Sequence, residues 1–182
     1  MTGTASGPDP VAAAAVRLLT ASGRTVAVAE SLTGGAVTAA LVDVPGASAC
    51  LRGGVVAYAS DLKSRLLGVP VELLGRLGAV HADIALAMAR GVRASLGADL
   101  GVATTGVAGP DGQDGRPPGE FHVAVVGPDG EVSRSVAGGG PGGYPGRAAV
   151  RAAARAAALR LLLAALAPEP GTDPAAPALE WS

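Results

Sequence analysis

Cysteine is almost missing from this chain, with Cys50 the single example in 182 residues. An internal disulfide and a thiolate metal cluster are thereby excluded, and a reducing compartment fits. Aromatic residues make up only 2%, so there is little from which to build base-stacking platforms or aromatic cages. An excess of one charge is also lacking: 14 Lys and Arg against 15 Asp and Glu leave a net charge of -1. Nothing pulls the whole chain toward a nucleic acid backbone or an anionic membrane, so neither is expected as a partner. Long apolar runs are absent as well. The stretch from Ala156 to Ala167 is broken by Arg160 and is shorter than the roughly 20 residues of a membrane span. Met1-Thr2-Gly3-Thr4 carries no basic cluster ahead of an apolar run, so no secretory signal is visible and a cytoplasmic location is expected.

What is present supports a folded core. Hydrophobic residues are 49% and charged residues 16%, enough apolar surface for one packed domain of this length. The ends read differently: residues 1 to 10 are small and polar, and Pro168 to Ser182 holds four prolines. Both are expected to be flexible extensions of a domain spanning 11 to 167. Within it, the pattern predicts helices over Val11 to Ala21, Ala36 to Val42, Asp61 to Leu67, Ala82 to Leu96 and Arg147 to Leu166, several with a glycine just past the end. Short apolar runs predict strands over Thr25 to Ala29, Gly54 to Tyr58, Leu100 to Thr104, Phe121 to Val126 and Val132 to Val136. Strands alternating with helices, plus one hairpin turning at Pro128-Asp129-Gly130, indicate a three-layer α/β/α sandwich with a mixed, mostly parallel sheet.

Three polar, glycine-bearing segments fall where strands end, the place where open α/β sheets bind ligands. They are Ala29-Glu30-Ser31-Leu32-Thr33-Gly34-Gly35, then Gly53-Gly54-Val55-Val56-Ala57-Tyr58 with Lys63 beyond, and Thr104-Thr105-Gly106-Val107-Ala108-Gly109-Pro110. Ser31 lies between a strand end and a helix start, where a hydroxyl is presented and the N–H groups of Thr33, Gly34 and Gly35 can converge on an oxyanion. The plainer reading makes Ser31 or Thr33 a helix cap. A serine nucleophile needs a base. His81 and His122 fit no Ser/His/Asp arrangement, so Lys63, partly desolvated and with Tyr58 near it, is the better candidate. Its plainer reading is a solvated helix residue. Ser60-Asp61-Leu62-Lys63 matches an S-x-x-K pattern, but the S-D-N and K-T-G partners are missing. A dinucleotide G-x-G-x-x-G opening, a Walker phosphate loop and H-E-x-x-H metal spacing are missing too, so neither metal nor cofactor is expected.

Taken together, AESLTGG at Ala29 to Gly35, DVPGAS at Asp43 to Ser48, GGVVAY at Gly53 to Tyr58, KSRLLGV at Lys63 to Val69 and TGVAGPDG at Thr105 to Gly112 resemble the CinA C-terminal domain family, in its stand-alone form. These are the PncC-type nicotinamide-nucleotide amidohydrolases. The resemblance implies hydrolysis of the carboxamide of nicotinamide mononucleotide to the acid and ammonia, in pyridine nucleotide salvage. It implies Ser31 as nucleophile, Lys63 as its base and Tyr58 assisting. Thr105 and its neighbouring glycines, Gly106 and Gly109, would line the substrate pocket with Glu30, Thr33, Gly34 and Gly35. Arg147, at the start of the last helix, is the choice for the substrate phosphate. The chain departs from the family pattern at Leu32, Ser60, His81-Ala82 and the glycine-rich Gly138 to Gly146. Two other readings stand beside this one: a nucleotide-binding module without turnover, and an amidase for a different small amide. A homo-oligomer is expected, as small α/β enzymes often pair symmetrically.

Overall fold

Val26 to Glu30 forms β1, and it is buried along its whole length because helices cover both of its faces. Alternation sends Val26 and Val28 to one face and Ala27 and Ala29 to the other, so one short strand joins two hydrophobic cores. This computed structural model describes residues 7–138 and 143–167. The sheet has five strands in the order β2-β1-β3-β4-β5, with β2 at Leu51–Val56, β3 at Leu100–Gly106, β4 at Phe121–Gly127 and β5 at Gly130–Val136. β1 pairs parallel with β2 and β3, whereas β3 with β4 and β4 with β5 are antiparallel. The sheet is therefore mixed: all strands but β4 run one way, yet the pairings divide evenly between the two kinds.

Helices α1 (Pro10–Ser22), α2 (Ala36–Val42) and α6 (Arg147–Leu166) cover the face of Val26 and Val28. Helices α3 (Ser60–Leu67), α4 (Val71–Leu77) and α5 (Ala82–Leu96) belong to the other face, with Leu67, Ile84 and Met88 packed against Ala27 and Ala29. This is the three-layer α/β/α sandwich expected from the alternation of elements. α4 is a seven-residue helix with no buried residue, which is why apolar periodicity gave no sign of it. β2 begins at Leu51, three residues before the expected Gly54. The N-terminal boundary also moves: the Asp9 carboxylate caps α1 by accepting from the Val11 and Ala12 N–H groups, with Pro10 at the first turn. Residues 1–6 and the proline-rich end from 168 lie outside the described residues. Among the described residues, no helix is long and apolar enough to cross a membrane.

Candidate active site

β1 ends at Glu30, and five residues later α2 begins with Gly35 at its N-cap in a left-handed conformation, φ 98°. Neither Ser31 nor Thr33 caps this helix. The cap is Glu30, a fully buried carboxylate that accepts from the Gly35 and Val37 N–H groups at 2.9 and 3.1 Å through Oε2. Its Oε1 accepts from the Thr38 N–H and hydroxyl at 2.8 and 2.7 Å. A helix N-terminus favours negative charge, which explains an acid that forms no ion pair among the described residues. Glu30, expected to line the pocket, has both carboxylate oxygens turned to α2.

With the cap supplied from outside, the Ser31 hydroxyl is left for another partner. Lys63 Nζ lies 3.2 Å from Ser31 Oγ. That lysine stands one turn into α3, is 1% exposed, and also donates to the Ala57 carbonyl at 3.1 Å and, weakly, to the Tyr58 carbonyl at 3.5 Å. Burial pulls the ammonium below the ordinary lysine range, because desolvation disfavours the charged form, while the negative charge of Asp114 opposes that pull. A buried amine held against a serine oxygen is the arrangement a Ser/Lys nucleophile–base pair requires.

The backbone around Ser31 is fixed from several sides. Its N–H donates to the Thr104 carbonyl at 3.1 Å, and the Thr33 and Thr104 hydroxyls share a hydrogen bond of 2.7 Å. The Gly34 N–H donates to the Ser31 carbonyl and the Gly35 N–H to Glu30. The two glycine N–H groups expected to hold an oxyanion are therefore occupied, and the free ones are those of Leu32 and Thr33, which have no acceptor among the described residues.

The remaining expected residues sit around this centre in different roles. The Thr105 hydroxyl donates to the Ala79 carbonyl at 2.6 Å and is buried, so it ties β3 to the segment before α5. Gly106 is needed for packing: a Cβ there would meet the Glu120 carbonyl at 2.6 Å and Phe121 at 2.5 Å. At Gly109 a Cβ would strike the Tyr144 ring, whose hydroxyl donates to the Ala108 carbonyl. Arg147 donates to the Gly109 carbonyl at 2.9 Å and to the Tyr58 hydroxyl at 2.8 Å. Tyr58 is 58% exposed and its hydroxyl accepts from Arg147, while its main-chain carbonyl accepts weakly from Lys63. His81 caps α5 through Nδ1, and His122 lies between Ser135 and Glu120; neither reaches Ser31.

Sequence reasoning missed Asp114, Arg76, Arg116 and Arg151. Asp114 accepts from the Ala79 N–H at 3.2 Å and borders a polar pocket of about 680 Å³ with Ser60, Arg76 and Arg116. Arg151 donates to the Leu32 carbonyl at 3.1 Å and the Thr33 carbonyl at 2.8 Å. Its signal was visible as a stripe: Arg147, Arg151 and Arg155 recur every fourth residue on one helix. A larger groove of about 990 Å³, lined by Leu18, Arg24, Asp129 and Ala165, is built from residues with no part in this centre.

Comparison with known proteins agrees with the sequence resemblance. The family model of the CinA C-terminal domain matches residues 8–166. A CinA-like protein of Frankia casuarinae is 52% identical over 128 residues, which is 70% of this chain and 30% of that protein. One from Parasynechococcus marenigrum is 51% identical over 67% of this chain and 29% of its own length. The chain thus spans less than a third of these curated relatives. Among solved structures, the competence/damage inducible protein CihA from Agrobacterium tumefaciens superposes with a TM-score of 0.79 at 34% identity, covering 88% of this chain and 98% of that one. A competence or damage-inducible protein from Enterobacter asburiae gives 0.81 at 29% identity, over 89% and 99%. A matched model over nearly all of the described chain, with the same fold in solved relatives, means that this chain belongs to the CinA C-terminal domain family.

Proposed function

We propose that the protein hydrolyses the carboxamide of nicotinamide mononucleotide, giving nicotinic acid mononucleotide and ammonia, with Ser31 as nucleophile and Lys63 as base. The observation that carries this reading is the buried amine of Lys63 at 3.2 Å from the Ser31 hydroxyl oxygen. As the neutral amine, Lys63 takes the Ser31 proton while Oγ attacks the amide carbon, and the carbonyl oxygen becomes an oxyanion. Collapse breaks the C–N bond, the leaving nitrogen takes the proton from Lys63, and ammonia departs. Water, deprotonated by the same amine, then attacks the ester, and Ser31 regains its proton as the acid leaves. No metal or cofactor enters this scheme.

The choice of substrate rests on the resemblance to nicotinamide-nucleotide amidohydrolases. The guanidinium of Arg76 at the polar pocket beside Asp114 supplies a cation suited to a nucleotide phosphate, whereas Arg116 there already pairs with Glu120 at 3.4 Å. Arg147, whose two terminal nitrogens already bond Gly109 and Tyr58, is less suited to that task. The test is ammonia release from nicotinamide mononucleotide by the wild type, Ser31→Ala and Lys63→Met. Turnover should vanish in the first variant and fall about 10²- to 10⁴-fold in the second. Wild-type protein that binds the nucleotide without releasing ammonia would instead identify a binding module, and indifference to Ser31→Ala would refute the nucleophile.

A further inference from the structure

The oxyanion formed on attack by Ser31 needs a hydrogen-bond donor held in place before the reaction, and the glycines expected to donate are engaged elsewhere. Arg151 supplies the missing explanation. It lies on α6, against the face of Val26 and Val28, whereas Lys63 comes from α3 on the opposite face. Its guanidinium donates to the Leu32 carbonyl through Nε at 3.1 Å and to the Thr33 carbonyl through Nη2 at 2.8 Å. A trans peptide is planar, so its C=O and N–H point to opposite sides. With the Leu32 carbonyl held by Arg151, the Thr33 N–H of that same peptide points away from Arg151. The Thr33 carbonyl is likewise held by Arg151, and the peptide it belongs to sends the Gly34 N–H into its bond with the Ser31 carbonyl. One planar fork thus sets two successive peptides, and a lysine in its place would offer only a point charge. Among the described residues no carboxylate pairs with Arg151, so its positive charge also remains to favour an anion at this loop.

We propose that Arg151 is a positioning residue for acyl transfer, orienting the Leu32–Thr33 peptide so that the Thr33 N–H binds the oxyanion. The inference rests on the reading of Ser31 as nucleophile and deepens it. Its test uses two probes. The first is nicotinamide mononucleotide turnover. The second is the labelling rate of Ser31 by a fluorophosphonate, in which the serine oxygen displaces fluoride from phosphorus, Lys63 takes the proton and charge builds on the phosphoryl oxygen.

Arg151→Met should lower kcat about 10²-fold with KM within about threefold. It should slow labelling by a similar factor and leave the midpoint of the pH–rate profile where the wild type has it. Arg151→Lys should fall between, and guanidinium added to Arg151→Ala should restore part of the rate. Arg155→Met, on the same helix but bonded to Asp9, serves as the control and should react as the wild type does. A loss confined to KM would make Arg151 a substrate contact, and a moved pH midpoint would make it a modulator of Lys63. Either result overturns the proposal, as does unchanged labelling in Arg151→Met. Should Arg151→Met fail to fold, Arg151→Lys decides: wild-type kcat in that variant overturns the proposal. Wild-type protein labelled at Ser31 but inert toward the nucleotide sinks the substrate assignment alone, and the labelling comparison still judges Arg151.

Discussion

Lys63 concentrates the proposed chemistry and its cost at one residue. An amine 1% exposed is deprotonated more easily than one in water, and burial is the leading cause of its lowered pKa. Because the folded state holds that proton less tightly, the unfolded chain binds more protons between the lowered folded value and the ordinary lysine value. Stability should therefore rise with pH across that window, and urea unfolding at a series of pH values should show this slope in the wild type and lose it in Lys63→Met. The activity profile should rise through the same lowered value, since only the neutral amine accepts the Ser31 proton. At this scale the sequence was partly legible. Ser31 and Lys63 were recognisable as a candidate nucleophile and base by residue type and position, and the structure brings them within 3.2 Å of each other. The Glu30 carboxylate and the Gly34 and Gly35 N–H groups were misjudged, because who bonds to whom within a five-residue turn depends on dihedral angles that composition does not record.

At the scale of elements, α2 shows how a cap can come from a strand. Glu30 belongs to β1, yet its carboxylate satisfies the N–H groups at the start of α2, so strand and helix are fixed relative to one another with Ser31 in the turn between them. Glu30→Gln keeps the shape but places an amide NH₂ where acceptors are needed, and should cost about 1–3 kcal/mol from leaving buried donors unpaired. Denaturant midpoints measure this, and a variant as stable as the wild type would contradict the capping role. Helix α6 acts at longer reach. Arg147, Arg151 and Arg155, four residues apart, hold the Gly109 loop, the Ser31 loop and Asp9 before α1 respectively. The periodicity that places them on one side is written in the sequence, but their targets, 38 to 146 residues away in the chain, are not. Elements with strong apolar patterning, α5 and β3 above all, were read close to their true bounds, whereas α4 escaped because nothing in it is buried.

For the whole molecule, the candidate site draws on β1, the end of β2, α3 and α6 at one end of the sheet, so binding there should be felt by the entire cooperative unit. If the proposed function holds, Ser31→Ala binds the nucleotide without turnover and should melt at a higher temperature in its presence. At about 100 times Kd the gain is about 2.7 kcal/mol, or about 5–10 °C for a domain of this size. Thermal scans at several nucleotide concentrations would check this, and a flat response would argue against the proposed substrate. The amino-acid order by itself determined the alternation of strands and helices, the apolar strands of a covered sheet, the family, and the residue types available for chemistry, because hydrophobic period and short motifs are local properties. Only tertiary structure decided that Lys63 meets Ser31 across 32 residues of chain, that Glu30 turns to α2, and that Arg151 grips the turn after Ser31. Those facts depend on which elements share a sheet edge and which faces they present, and a contact formed between distant segments leaves no mark in the spacing of either.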